Sequence, residues 1–405
     1  MKTPLSPEAR ALARLLSTRR SVLGAGALVL AGGALAACGT KGTSTNPSGS
    51  AGPKCTPAAD VSASERRVVF SNWTGYLDED EKNVEEHPTL KAFTTKTGIE
   101  VKYTADINDN NEFYGKIRAQ LAACQTIDRD IVVFTDWMAA RFIRNGWAQK
   151  LSLDKAPNFV KNLAPSMKGR DFDPKQEYAM PWQAGMTGIA VNTNVTKEVR
   201  TIDELLTRPD LKGKVTCLTE MHDTMGLLLL SMDKDPANFT AADFDAALEK
   251  LKKAVASGQI RRFTGNDYKE ELPKGDIAAC IAWSGDVIQL ATEDEKIKFI
   301  TPDEGMLIWS DNALIPQSAT HAANAQAVLD HYYDPKVAAE LAAFVNYVCP
   351  VVGAQEAMKD VDPDLVENPL IFPDAEMQKK LKVFKSLSDT DERDYQRKFQ
   401  AAIGA

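Results

Sequence analysis

Gly305-Met306-Leu307-Ile308-Trp309-Ser310-Asp311-Asn312-Ala313-Leu314-Ile315-Pro316 reads as an apolar strand closed by a proline. The helical pattern of the C-terminal third follows it. Trp309 and Asp311 stand two residues apart, and residues i and i+2 share one face of an extended strand. An indole and a carboxylate would then project together. An organic cation suits such a pair, because it meets a ring face and a negative charge at once. A core tryptophan beside a strand-end aspartate has the same spacing, so the pair gains meaning only if other strands repeat it.

Upstream, strands and helices alternate. Arg67–Asn72 reads as a strand and runs into Trp73-Thr74-Gly75-Tyr76. Pro88–Thr97 is a helix with proline in its first turn, and Ile99–Thr104 is the next strand. Asn110–Cys124 has helical apolar spacing, Ile131–Phe134 is a strand, and Trp137–Asn145 is a helix stopped by Gly146. Tyr178–Trp182 and Gly188–Asn192 read as a strand pair leading away from the first half. The pattern then restarts: helix Ile202–Thr207, strand Val215–Thr219, helix Thr224–Met232 and an amphipathic helix at Phe244–Ala256. Strand Gly275–Trp283, a helix around Val287–Ala291 and strand Lys298–Thr301 lead back to the opening stretch. His321–Tyr333, Lys336–Val348 and Ala375–Ser386 are helical. Strand–helix–strand returns favour parallel pairing. Two α/β halves with crossing chain predict a hinged two-lobe architecture, with a ligand cleft at the carboxyl ends of the strands.

Those strand ends repeat one chemistry. Trp73 and Tyr76 follow the first strand, and Thr135, Asp136 and Trp137 follow Ile131–Phe134. Glu220 and Asp223 follow Val215–Thr219, Trp283 ends Gly275–Trp283, and Trp309 and Asp311 complete the set. Asp223 also suits a helix N-cap before Thr224.

In order along Arg66–Ala405, the motifs Asn72-Trp73-Thr74-Gly75-Tyr76, Val132-Val133-Phe134-Thr135, Ala179-Met180-Pro181-Trp182, Ile281-Ala282-Trp283, Ile308–Pro316 and Phe372-Pro373-Asp374-Ala375-Glu376 resemble those of the spermidine/putrescine-binding proteins of bacterial ABC importers. The resemblance implies a periplasmic-binding-protein fold, no catalysis and no cofactor. It also implies ligand contacts from Trp73, Tyr76, Thr135, Trp137, Glu220, Asp223, Trp283, Trp309 and Asp311. The expected partners are a polyamine and a membrane permease, and a monomer is expected. Two departures stand out: Cys349 replaces an aromatic before Pro350, and Phe384 lies nearest to where a late glutamine is expected. A binder of another organic cation, such as an opine or an amino-acid derivative, is the alternative. The expected lobes are residues 66–189 plus 310–355 and residues 190–309 plus 356–405.

At the N-terminus, Arg19-Arg20 precede an uncharged run, Ser21–Ala37, that ends in Leu35-Ala36-Ala37-Cys38. This order reads as an export signal over residues 1–37. It resembles a twin-arginine signal with a lipobox, which implies lipid on the Cys38 sulfur and anchoring to the outer face of the cytoplasmic membrane. Residues 38–65 are rich in Gly, Ser, Thr and Pro and read as a tether. Over the 405 residues the net charge is −8, with 44% hydrophobic and 26% charged residues. That balance argues against nucleic acid, which needs clustered Lys and Arg. Besides Cys38, five cysteines remain: Cys55, Cys124, Cys217, Cys280 and Cys349. Disulfides are permitted outside the cytoplasm, and a Cys217–Cys280 pair is one possibility. No Cys-x-x-Cys and four scattered histidines argue against a metal site. No strand-end nucleophile pairs with a histidine as an enzyme would need.

Overall fold

The computed structural model describes residues 55–404 apart from Glu81 and Asn108. The export signal and Cys38 lie outside the described residues. Ten strands form one mixed sheet: β1 (Arg67–Trp73), β2 (Glu100–Ile107), β3 (Ile131–Thr135), β4 (Ala179–Asn192), β5 (Val215–Leu218), β6 (Ile260–Thr264), β7 (Ala279–Trp283), β8 (Ile297–Ile300), β9 (Met306–Leu314) and β10 (Leu381–Lys382). Their order is β2-β1-β3-β9-β4-β7-β5-β6, with β10 on β9 and β8 on β4.

The two ends of this sheet are the two lobes, and each is parallel as the alternation predicts. β1 pairs with β2 and β3 in parallel, and β5 does so with β6 and β7. Strands such as Ile131–Phe134 are buried along their length, as expected where helices cover both faces. The middle is antiparallel. β9 pairs with β3 through Asp311–Leu314 and with β4 from Leu307 to Leu314, and β4 continues onto β7 through Thr187–Val191. These two long strands are the crossing segments.

One core holds Phe70, Phe93, Trp182, Tyr333 and Leu341, and another holds Leu218, Leu228, Phe244, Tyr268 and Phe399. Met358, Val366 and Ile371, which lie past residue 355, are buried with the first core. The late contribution to the second comes from Leu387, Tyr395 and Phe399. Among the described residues, no helix is long and apolar enough to cross a membrane.

Several expectations are corrected. The strand pair Tyr178–Trp182 and Gly188–Asn192 is one 14-residue strand, with the proline absorbed by a register shift between Pro181 and Gln183. Strand Ile260–Thr264 and helices Tyr268–Lys274 and Asp389–Ile403 are elements beyond those expected, and Gly275 is a left-handed helix cap rather than a strand start. The helix expected over Ala375–Ser386 stops at Lys380, because Leu381 and Lys382 pair with Met306 and Leu307. Helix Met221–Leu230 starts three residues early and is buried on every side, so no polar face marks its beginning. Glu220 takes the N-cap position, and Asp223 sits inside the first turn.

The cysteines pair differently from the possibility raised. Cys55 is bonded to Cys124, while Cys217 and Cys280 are separate buried thiols, as is Cys349. Backbone bonds from Ala58 to Gln317 and from Val61 to Thr320 hold the neighbouring segment, so residues 55–65 belong to the folded body rather than to a tether.

Candidate functional site

A cavity of about 410 Å³ opens between the strand ends, and all nine residues singled out in the sequence line it. The loop after β1 supplies the first pair. Gly75 turns it at φ +70°, a conformation that favours glycine. Trp73 anchors its Nε1–H to the Val133 carbonyl, and Tyr76 is buried against Tyr347 with ring centroids 5.4 Å apart.

Asp311 is the convergence point on β9. Its Oδ2 accepts from Tyr76 Oη at 2.8 Å and its Oδ1 from Thr135 Oγ1 at 2.6 Å. Asn110 in turn donates to Thr135 Oγ1 at 3.0 Å. Asp223 has a similar cradle in the second lobe: Thr187 Oγ1 donates at 2.6 Å and Trp283 Nε1 at 2.8 Å. Thr187 also accepts from Trp309 Nε1 at 3.0 Å. Trp283 and Trp309 meet edge to face, with centroids 6.5 Å apart. Both are half-buried, so each ring is partly open to the cleft.

Every hydrogen bond accepted by these two carboxylates comes from a neutral group. Burial pushes the carboxyl of Asp223 up to about 7, and Glu220 nearby adds to it. Burial likewise pushes Asp311 up to about 7 against the pull of its hydrogen bonds, with Asp136 and Asp223 contributing. A buried acid without a cation is costly to ionise. A ligand cation would relieve that cost.

Glu220 and Trp137 are engaged otherwise. His222 places Nδ1 3.0 Å from Glu220 and Nε2 3.2 Å from Glu392. Burial opposes its charge, but the two carboxylates outweigh burial and raise it to about 10. Its ring stacks on Trp137 at 5.0 Å, while Phe384 meets it edge-on.

The sequence reading missed Asp286, Lys269, Tyr347 and His222. Asp286 follows Trp283 by three residues, a strand-end spacing that could have been read. It accepts from Tyr268 at 2.7 Å and Asn266 at 2.8 Å, and pairs with Lys269 at 3.3 Å. The aromatic near Pro350 is Tyr347, whose ring lies where a Gly285 side chain would be. Cys349 is buried and lines no part of the cleft. Phe384 does line the cleft.

Two α/β lobes joined by crossing strands around an acidic, aromatic cleft define a ligand-binding protein of the two-lobe type. The chain belongs to the family of bacterial extracellular solute-binding proteins, which residues 89–373 match. The role of that family is solute binding rather than catalysis, and its members act outside the cytoplasm. Among similar proteins, the spermidine/putrescine-binding periplasmic protein 1 of Haemophilus influenzae is 25% identical over 323 residues, covering 80% of this chain and 85% of that one. A putrescine-binding periplasmic protein of Escherichia coli is 28% identical over 345 residues, covering 80% and 88%. The fold is shared with the spermidine/putrescine ABC transporter substrate-binding protein of Streptococcus pneumoniae, at a TM-score of 0.70 and 22% identity over 84% of this chain and 98% of that one.

Proposed function

We propose that this protein captures a polyamine outside the cytoplasm and presents it to the permease of an ABC importer. The observation that carries this reading is the pair Asp223 and Asp311. Both are buried, both are held by neutral donors, and both face one cavity with the indoles of Trp73, Trp283 and Trp309. Of the nine lining residues named from sequence, Trp73, Tyr76, Thr135, Asp223, Trp283, Trp309 and Asp311 are the proposed ligand contacts, Glu220 and Trp137 being taken up by His222. Carboxylates meet the ammoniums, and the rings cover the methylenes and attract the charge at about 0.5–2 kcal/mol per contact. The relatives named for spermidine and putrescine support the same ligand class. An opine or amino-acid derivative carries its own carboxylate, which would enter a cleft already rich in acid.

Lobes on either side of β4 and β9 would close around the ligand and create the surface a permease reads. Attachment through Cys38 would keep the protein beside that permease. Cys38→Ala is expected to shift it from the membrane to the soluble fraction.

Calorimetry with putrescine, spermidine, arginine, γ-aminobutyrate and glucose tests the reading. Micromolar or tighter binding, about 8 kcal/mol, is expected for an amine lacking a carboxylate. Heat from the amino acids or the sugar alone would overturn it.

A further inference from the structure

Six carboxylates line the cavity: Asp109, Asp136, Glu220, Asp223, Asp286 and Asp311. If the ligand is a polyamine, the number of these still lacking a positive partner sets how many ammoniums the cleft takes. Asp109 is exposed at the rim and caps helix Asn110–Ala122 through Glu112 N–H. Asp136 is only partly buried and is already held by three donors, Ser310 N–H, Ser310 Oγ and Asn312. Asp286 is paired with Lys269.

Glu220 is answered by a cation of the protein itself. Each ring nitrogen of His222 lies within hydrogen-bond distance of a different carboxylate, Glu220 or Glu392. Carboxylates only accept, so both nitrogens must donate and the ring is an imidazolium. It lies on the face of Trp137 and against the edge of Phe384. Two acids and two aromatic rings around one positive charge are the furnishings of an ammonium subsite. Here the subsite is already filled.

We propose that His222 occupies an ammonium position from within, leaving Asp223 and Asp311 for the ligand, so that the cleft selects a diamine over a triamine. A third ammonium entering the cavity meets no unpaired buried acid. Its desolvation would go uncompensated. This selectivity rests on the polyamine reading and refines it.

Calorimetry with 1,4-diaminobutane and spermidine tests the proposal on the wild-type protein, on His222→Gln and on His222→Lys. Wild type is expected to bind the diamine at least tenfold tighter. His222→Gln strips the cation from Glu220 and Glu392 and should raise spermidine affinity relative to diamine at least tenfold. His222→Lys retains a charge and should keep the wild-type ratio. Should the variants fail to fold, ¹⁵N spectra of the histidines in wild type still decide: a doubly protonated His222 at pH 8 is expected, and a neutral ring overturns the proposal. Wild type that prefers spermidine, or a ratio unmoved in His222→Gln, overturns it while leaving polyamine capture standing. Binding of neither amine instead removes the polyamine reading itself.

Discussion

The phenol of Tyr76 donates a 2.8 Å hydrogen bond to Asp311, a residue 235 positions further along the chain. One partner belongs to the loop after β1, the other to the strand that returns between the lobes. Burial and the neighbouring Asp311 charge push the phenol well above its ordinary value, so it stays a donor at any physiological pH. The bond fixes the carboxylate's orientation without neutralising it. Asp311 is therefore held ready for a cation supplied from outside.

Asp311→Asn keeps the shape and removes the charge. It should cost about 2–5 kcal/mol for a ligand whose ammonium is left buried and unpaired. A neutral ligand would lose only a hydrogen bond, about 0.5–1.5 kcal/mol. Titration of both proteins with putrescine, spermidine and a neutral control separates the cases. Equal affinities throughout would remove Asp311 from the site.

Gly185 makes room for the Trp309 indole. A methyl built there meets three atoms of that ring, with even the farthest only 2.8 Å away. Gly185→Ala should displace the indole, break its bond to Thr187 and weaken polyamine binding by about 1–3 kcal/mol, the worth of one ring contact. Trp309→Ala should lose a similar amount. Adding Gly185→Ala to it should cost little more, because both changes act on one ring. Additive losses in the double variant would show that Gly185 acts elsewhere.

How much of this was legible in sequence depended on how far apart the partners lie. The strand ends carrying Trp73, Thr135 and Trp283, and the strand that carries Asp311 in its interior, could be read because apolar runs mark them, and a cleft at the carboxyl ends follows from the alternation. The long β4 was read as two pieces, since its interior glycine answers to Trp309 rather than to local preference. His222 could not be assigned, because Glu392, its second partner, is 170 residues away and no local spacing joins the two. The pairing of Cys55 with Cys124 was equally closed to sequence, as spacing alone selects no partner.

That disulfide closes a sequence separation of 69 residues and ties the segment before β1 to the end of helix Asn110–Ala122. On the chain-entropy account, a loop of this size is worth about 4 kcal/mol. Reduction, or the double change Cys55→Ser and Cys124→Ser, should therefore lower the melting temperature. Neither cysteine lines the cleft, so ligand affinity should survive at temperatures where the reduced protein is folded. An unchanged melting curve under reductant would show that the cross-link contributes nothing.

The two cleft acids also give the protein a pH signature. With Asp223 and Asp311 each raised to about 7 from an ordinary value of 3.8, the empty folded protein holds protons that the unfolded chain has already released. Its stability should therefore fall as pH rises from roughly 4 to 7. Asp311→Asn should melt higher than wild type at pH 8, and that advantage should shrink by pH 5. Ligand binding runs the other way, because a cation needs the ionised form. At pH 6 each carboxylate is one unit below its midpoint and costs about tenfold in affinity, so binding should be about 10–100-fold weaker than at pH 8. It should also release between one and two protons per ligand. Calorimetry at pH 6 in buffers of different ionisation enthalpy reads that number directly. Zero proton release together with equal affinity at both pH values would mean that neither carboxylate meets the ligand's charge.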